Sequence, residues 1–262
     1  MIVVSDVHDS PQALARLVAL DEPLVILGDL ANLADYRTGE GAVAEILGHG
    51  VSMESGEARG RGDFTGMRAV WQRAVGDRGI DVRREIDRVV EGQYRAMSEA
   101  LAGGSGLVIH GNVDRPELLQ KHLPDGFRYV HGQVVEHEGI SMGFVGGGLP
   151  TFLQESGVTA EEEMAEMLSG MAGVEILCTH VPAAIRAVRF DVITGREERG
   201  SAHITEFIRR HRPRYHLHGD VHQPQASTWR LGATRIVNVG YFRATGRFVR
   251  VSSAGLQLGG LG

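Results

Sequence analysis

Short apolar runs alternate along this chain with stretches of helical periodicity. Ile2-Val3-Val4, Leu24-Val25-Ile26-Leu27, Leu107-Val108-Ile109, Val174 to Cys178 and Tyr215 to Leu217 read as buried strands. Between the first two, Leu14, Leu17 and Val18 repeat at i, i+3, i+4. Pro11 stands at the first helical position, Ser10 or Asp9 is the cap, and Asp21-Glu22-Pro23 is the stop. Strand, helix, strand over so short a stretch is a βαβ unit. Further on, Pro116 opens a short helix to Leu119, and Tyr129 to Glu136 with Ile140 to Val145 predict a hairpin about Glu138-Gly139. Thr159-Ala160-Glu161-Glu162 has capping-box spacing and opens a helix to Met171. A loop and a helix over 201–211 follow. Residues 225–252 alternate like antiparallel strands, and the Gly-rich end is expected to fray.

Residues 31–104 interrupt this rhythm. Gly and charged residues dominate up to Gly62, which predicts a flexible lead-in over 48–62. Two amphipathic patterns follow, Phe64 to Val75 (Phe64, Met67, Val70, Trp71, Val75), stopping at 76–79, and Val82 to Leu101 (Val82, Ile86, Val89, Val90, Tyr94, Met97, Leu101). We therefore expect one domain over residues 1–262, of class α/β, with a helical insertion at 31–104. The apolar stripes of that insertion need a partner surface, either the rest of the chain or a second copy in a homo-oligomer.

Composition narrows the function classes. The chain has 262 residues, 42% hydrophobic and 23% charged, as in an ordinary globular protein. No apolar run approaches the ~20 residues that span a bilayer, so no membrane partner is expected. No signal peptide precedes Asp6 and Cys178 is the single cysteine, which fits a cytoplasmic location. The net charge is −6 and no aromatic-basic groove is legible, which argues against a nucleic-acid partner.

The chemistry lies where the strands stop. The first is followed by Asp6-Val7-His8, the second by Gly28-Asp29, the third by Gly111-Asn112-Val113-Asp114, the fourth by Thr179-His180 and the fifth by Gly219-Asp220-Val221-His222. Any one of these side chains is more often structural. Five strands ending in metal-type ligands are a different matter, because α/β sheets build their sites at the carboxyl ends of strands. Asp, His and Asn together suit two divalent cations with one carboxylate between them.

In this order the motifs Asp-x-His, Gly-Asp, Gly-Asn-x-Asp, Thr-His and Gly-x-x-His resemble the calcineurin-like metallophosphoesterase superfamily, with Asn238-Val239-Gly240 similar to its late Asn-Pro-Gly turn. The resemblance implies a four-layer α/β/β/α sandwich with a dinuclear metal centre at one edge. Carried over by position, Asp6, His8, Asp29 and His222 would hold the first metal. Asp29, Asn112, His180 and Asp220 would hold the second, with Asp29 bridging. A hydroxide bridging the metals would attack phosphorus in line with the leaving oxygen, with Asp29, Asn112 and His180 as the catalytic residues. Asn112 would also touch the phosphate, and Arg115 beside it could clamp an anion.

Two positions depart from the family pattern. Val113 stands where the family has a histidine that contacts the phosphate and protonates the leaving group; His110 is the nearest imidazole in sequence. Asp220 stands where the family has a metal-binding histidine. An aspartate there makes the second position richer in oxygen and favours Mn or Mg over Zn, with Fe also compatible. His218 could substitute by a local shift, and His216 shares its strand face. The resulting expectation is a small phosphate-ester substrate, a phosphodiester or nucleotide-like phosphate. A phosphomonoesterase of the same family, or a weakly active or non-catalytic metal-binding relative, is the alternative.

Overall fold

The protein is described here by a computed structural model covering residues 1–35, 37–76, 79, 81–151 and 156–262. The βαβ unit is β1 (Ile2–Val4), α1 (Pro11–Val18) and β2 (Leu24–Leu27), with β1 parallel to β2. Pro11 opens α1 as expected, and no side chain caps it. Four helices follow: α2 (Ala42–Leu47), α3 (His49–Arg61), α4 (Phe64–Val75) and α5 (Val82–Leu101). Then come β3 (Gly106–Ile109), α6 (Pro116–His122), β4 (Phe127–Tyr129), β5 (Val134–His137) and β6 (Ile140–Val145). They lead to α7 (Glu161–Ser169), β7 (Ile176–Thr179), α8 (Arg186–Arg189), β8 (Phe190–Asp191), β9 (Arg196–Glu197) and α9 (Ala202–His211). The chain closes with β10 (Tyr215–His218), β11 (Thr228–Leu231), β12 (Thr234–Asn238), α10 (Phe242–Thr245), β13 (Arg247–Ser252) and β14 (Gly255–Gly260).

Two six-stranded mixed sheets result, in the orders β14-β13-β1-β2-β3-β4 and β11-β12-β10-β7-β6-β5. Alternation along each strand builds the layers. Val3, Val25, Leu27 and Ile109 face Phe144, Cys178, Leu217 and Val237 between the sheets. Ile2, Val4, Ile26 and Val108 point the other way, onto α1, α5 and α6. Leu177 and Ile236 on the second sheet meet α7 and α9. Fully burying each such aliphatic side chain contributes about 1.5–3 kcal/mol. The architecture is the four-layer α/β/β/α sandwich.

Four details differ from the sequence expectation. The lead-in at 48–62 is helical, because Ser52, Ser55 and Ala58 give α3 a small-residue face that packs on α4. Of the expected stop after α4, Asp77 and Arg78 lie outside the described residues. Thr159 does not cap α7; its hydroxyl donates to the Gly146 carbonyl, and Glu161 reaches Ser201 and the amide of Ala202 instead. The stretch read as one strand from Tyr129 is split, since β4 pairs with β3 in the first sheet and β5 with β6 in the second. The Gly-rich end is paired along β13 as β14.

Candidate metal centre

Strands β1, β2 and β3 run parallel in one sheet, and β6, β7, β10 and β12 in the other. Their carboxyl ends meet at one edge of the sandwich. The Nδ1–H of His180, after β7, donates across the sheets to the carbonyl of Leu27 at the end of β2, at 2.8 Å. The two glycines before Asp29 and Asn112 are dictated by this crowding. Gly28 has φ +94°, and a Cβ there would sit 2.5 Å from the Gly111 amide nitrogen. A Cβ on Gly111 would sit 2.1 Å from an oxygen of Asp29.

The backbone itself marks the site. Among the described residues, eight that are not glycine have positive φ, and four of them are Asp6 (58°), His8 (43°), Asp29 (52°) and Asp220 (66°). Such conformations cost roughly 1–3 kcal/mol each and persist where the surroundings impose them, most often at functional sites.

Inside this frame the predicted ligands converge. Asp29 faces both sides, with one oxygen 3.8 Å from His8 Nε2 and the other 3.4 Å from His180 Nε2. His180 Nε2 is also 3.7 Å from Asp220 and 3.0 Å from the Asn112 side-chain oxygen. His222 Nε2 lies 3.9 Å from Asp6 and 3.1 Å from His8 Nε2. Two sets have ligand atoms all within 4.8 Å of one another: Asp6, His8 and His222, and Asp6, Asp29 and His180.

The donor set fits divalent cations. His8 donates Nδ1–H to the Ala31 carbonyl and His180 donates Nδ1–H to Leu27, so both rings point Nε2 into the cluster, where the lone pair is free for a cation once any proton there is lost. Only a proton or a cation can sit between His8 Nε2 and His222 Nε2 at this separation, or between His180 and the oxygens around it. One oxygen of Asp6 is buried without a hydrogen-bond partner. Asn112 turns its oxygen toward other acceptors; reversed, its amide would donate to His180, Asp220 and Asp29. The oxygen-inward orientation is the one a cation requires.

The electrostatics agree. Burial, reinforced by Asp220, pushes Asp6 up to about 7 despite His180. Burial also raises Asp29 and Asp220. Burial opposes charge on His180, but Asp29, Asp220 and Asp6 outweigh it and lift the ring to about 9. Burial and then the neighbouring His222 hold His8 low, and burial followed by the charges of Arg37 and Arg59 holds His222 at about 4. In the metal-free cluster the crowded carboxylates resist ionising together and hold a proton on His180, and a bound cation would take that proton's place.

One predicted site residue, Arg115, lies outside the cluster, as do the side chains of Val113, His110, His216 and His218 beside the motifs. Arg115 is tied to Asp87 at 2.8 Å and to the carbonyls of Val113 and Asp114, so its contacts are with α5 and its own loop. Val113 packs its side chain on the α1–α5 layer and gives Asp29 only its amide, at 3.1 Å. His110 bonds Tyr129 through Nδ1 at 2.6 Å, and burial holds it at about 3. His216 and His218 are buried and stacked on one strand face.

Three supports were not read from the sequence. Asp114 accepts from the amides of Leu30, Ala31 and Gly111 and from the Tyr94 hydroxyl, at 2.7–3.0 Å, locking the Asp29 loop to the Asn112 loop. Asn238 donates to the carbonyls of Val221 and Gly219 and so holds the His222 loop. Tyr241 stacks on His222. The Asp in Gly-Asn-x-Asp was a legible signal for the first; nothing local marked the third.

No family model matches the chain, and no curated protein matches it. Its fold matches the crystal structure of TT1561 of Thermus thermophilus, with a TM-score of 0.56 at 16% identity, over 99% of this chain and 97% of that one. That likeness shows a shared fold over the full length. The Thermus thermophilus sulfate thiohydrolase SoxB in complex with glycerol aligns with a TM-score of 0.46 at 13% identity, over 95% of this chain and 42% of that one. No helix among the described residues is long and apolar enough to cross a membrane.

Proposed function

We propose that the chain is a metal-dependent phosphoesterase that hydrolyses a phosphodiester or nucleotide-like phosphate. The observation that carries this reading is the convergence of Asp6, His8, Asp29, Asn112, His180, Asp220 and His222, from five strand ends in two sheets, with imidazole lone pairs and carboxylate oxygens turned to one place. Asp6, His8, Asp29 and His222 would hold a first cation, and Asp29, Asn112, His180 and Asp220 a second. Divalent cations, when bound there, acidify a water for attack on phosphorus and neutralise the phosphoryl oxygens. The oxygen-rich second position favours Mn or Mg. Asn112, at the inner face of the cluster, orients the phosphate.

The leaving group receives little help. Val113 faces the helices, and His110 is neutral at ordinary pH with one ring nitrogen committed to Tyr129. General-acid assistance typically contributes about 10²–10⁴-fold. Turnover of aryl phosphodiesters and monoesters with added Mn²⁺, after bound metal is measured, tests the reading. Rates should fall steeply as leaving-group pKa rises, and diesters should be preferred. A protein that binds no divalent metal and turns over neither ester overturns it; a preference for monoesters replaces only the substrate class.

A further inference from the structure

His8 and His180 have their rings fixed by a backbone carbonyl on Nδ1, Ala31 for one and Leu27 for the other. That is the usual way in which a metal-binding imidazole is oriented. His222 is different. Among the described residues no group is hydrogen-bonded to its Nδ1, and its side chain is 34% exposed. A ring on a loop, half open and without an orienting bond, would swing about its side-chain torsions and present either nitrogen.

A phenol ring prevents this. Tyr241 is 3% exposed and follows the turn that Asn238 closes. It lies flat on His222, with centroids 3.9 Å apart and planes within 4°, and meets His8 edge-on at 5.7 Å. Its own orientation is set from the far side of the site. Its hydroxyl donates to Asp35 at 3.3 Å, and Asp35 is held by the amides of Arg37 and Thr38. The Arg37 guanidinium sits 5.0 Å from the ring centroid.

We propose that Tyr241 is the positioning residue of His222, its buried ring doing by stacking what a backbone carbonyl does for each of the other two histidines. Asp35 is the weaker, outer support. The proposal rests on the reading of Asp6, His8 and His222 as a cation site, and it assigns the orienting role to the face of the ring and not to the hydroxyl.

The test uses the full chain, stripped of metal, with three variants: Tyr241→Phe, Tyr241→Leu and Asp35→Asn. Mn²⁺ affinity and stoichiometry are measured by equilibrium titration, and the His222 ring protons are followed by NMR in the metal-free protein. The stack should shift those protons upfield in the natural protein and in Tyr241→Phe, and the shift should vanish in Tyr241→Leu. Metal affinity at the first position should fall about 10- to 100-fold in Tyr241→Leu, the usual effect of losing an orienting group, and only a few-fold in Tyr241→Phe and Asp35→Asn. The second metal should be retained throughout. Equal losses in Tyr241→Phe and Tyr241→Leu would overturn the proposal by moving the role to the hydroxyl. An unchanged affinity in a folded Tyr241→Leu would overturn it outright. If Tyr241→Leu fails to fold, a loss in Tyr241→Phe as large as that from removing His222 itself has the same force. A natural protein that binds no Mn²⁺ strikes the proposed function, and the ring shifts alone then decide the positioning claim.

Discussion

The strand-end cluster and the helices between β2 and β3 solve opposite problems. The cluster gathers acidic and imidazole groups from Asp6 to His222 and buries most of them. Its backbone is strained at four of its residues, Asp6, His8, Asp29 and Asp220, and its polar atoms are held by carbonyls and amides far away in sequence. The helices of 42–101 are built from local patterns. Asp63 and Asp81 cap α4 and α5, Ile86, Val90, Tyr94 and Met97 line one face, and exposed ion pairs such as Arg73–Glu54 and Arg88–Glu85 lie on another. The first region spends stability to hold charges together; the second is stable wherever its stripe finds a surface. A change in one should therefore read out differently from a change in the other.

The largest effect is expected at Asp29, whose two carboxylate oxygens lie 3.8 Å from His8 Nε2 and 3.4 Å from His180 Nε2. Asp29→Ala should remove most hydrolytic activity and lower bound metal from about two to one or fewer per chain. It should leave the helices folded, since no helix contact depends on that carboxylate. Metal analysis with far-UV circular dichroism checks both halves. Two tightly held metals in the variant would count against the bridging assignment.

Asp114 comes next, because it joins the two regions. Its carboxylate is fully buried and accepts from three amides and from Tyr94 of α5. Asp114→Asn points an amide group at donors and should cost about 2–4 kcal/mol. The loss should appear in a denaturant midpoint and, separately, as weaker metal binding, since the Asp29 and Asn112 loops lose their common lock. Stability lost with metal affinity intact would confine Asp114 to the fold.

The strand ends were legible because apolar runs terminate in Asp, His and Asn side chains, and a run's end is a local fact. Asp6, His8, Asp29, Asn112, His180, Asp220 and His222 could all be named for that reason, and the structure brings them together. What supports them was not legible. Tyr241 reaches His222 from beyond the β11–β12 hairpin, and Asp35 reaches Tyr241 across 206 residues; no spacing encodes either contact. Arg115 looked like an anion clamp because it is next to the motif, but α5 supplies Asp87 to hold it. The helix α3 was missed for a different reason. Its buried face is Ser52, Ser55 and Ala58, so the pattern carries no hydrophobic signal, and packing against α4 and α2 makes it a helix.

A smaller effect separates the regions by pH. His180 is lifted to about 9 by the carboxylates around it. A histidine whose folded value exceeds its unfolded value contributes stability that is fully present below about 6.5 and is lost as pH rises through 9. Asp6, raised to about 7, favours low pH in the same sense below that value, while His222, held at about 4, works in the opposite sense there. From pH 7 to 9 the loss of the His180 proton and the raised Asp29 and Asp220 all act in the same sense, against the metal-free fold as pH rises. Metal-free protein should lose on the order of 2 kcal/mol across this window, and Mn²⁺-loaded protein should not, because the cation replaces the proton. Thermal melts with chelator and with Mn²⁺ should diverge as pH rises. Parallel melts would mean that His180 does not face those carboxylates in solution.

The smallest effect belongs to the helices, and it shows how local their stability is. The Trp71 indole donates to Ser55 Oγ at 3.0 Å, and that hydroxyl donates to the Val51 carbonyl at 2.7 Å. Ser55 is buried on the small-residue face of α3, so no larger side chain fits there. Ser55→Ala nearly keeps the volume but leaves the indole N–H without its acceptor. The cost of one such neutral bond is about 1 kcal/mol, partly offset because alanine is the better helix former. Nothing in this pair touches a strand end, so metal stoichiometry, Mn²⁺ affinity and the pH 7–9 divergence should all be unchanged while the melting temperature falls by a few degrees. If Ser55→Ala instead weakens metal binding, α3 and the cluster share strain through the β8–β9 hairpin, where Arg196 donates to the Arg59 carbonyl at 3.3 Å. Arg196→Ala in the same assay would then lose metal affinity as well. If it did not, the two regions would be independent and the effect of Ser55→Ala on metal binding would have to be global unfolding, which the melt itself would show.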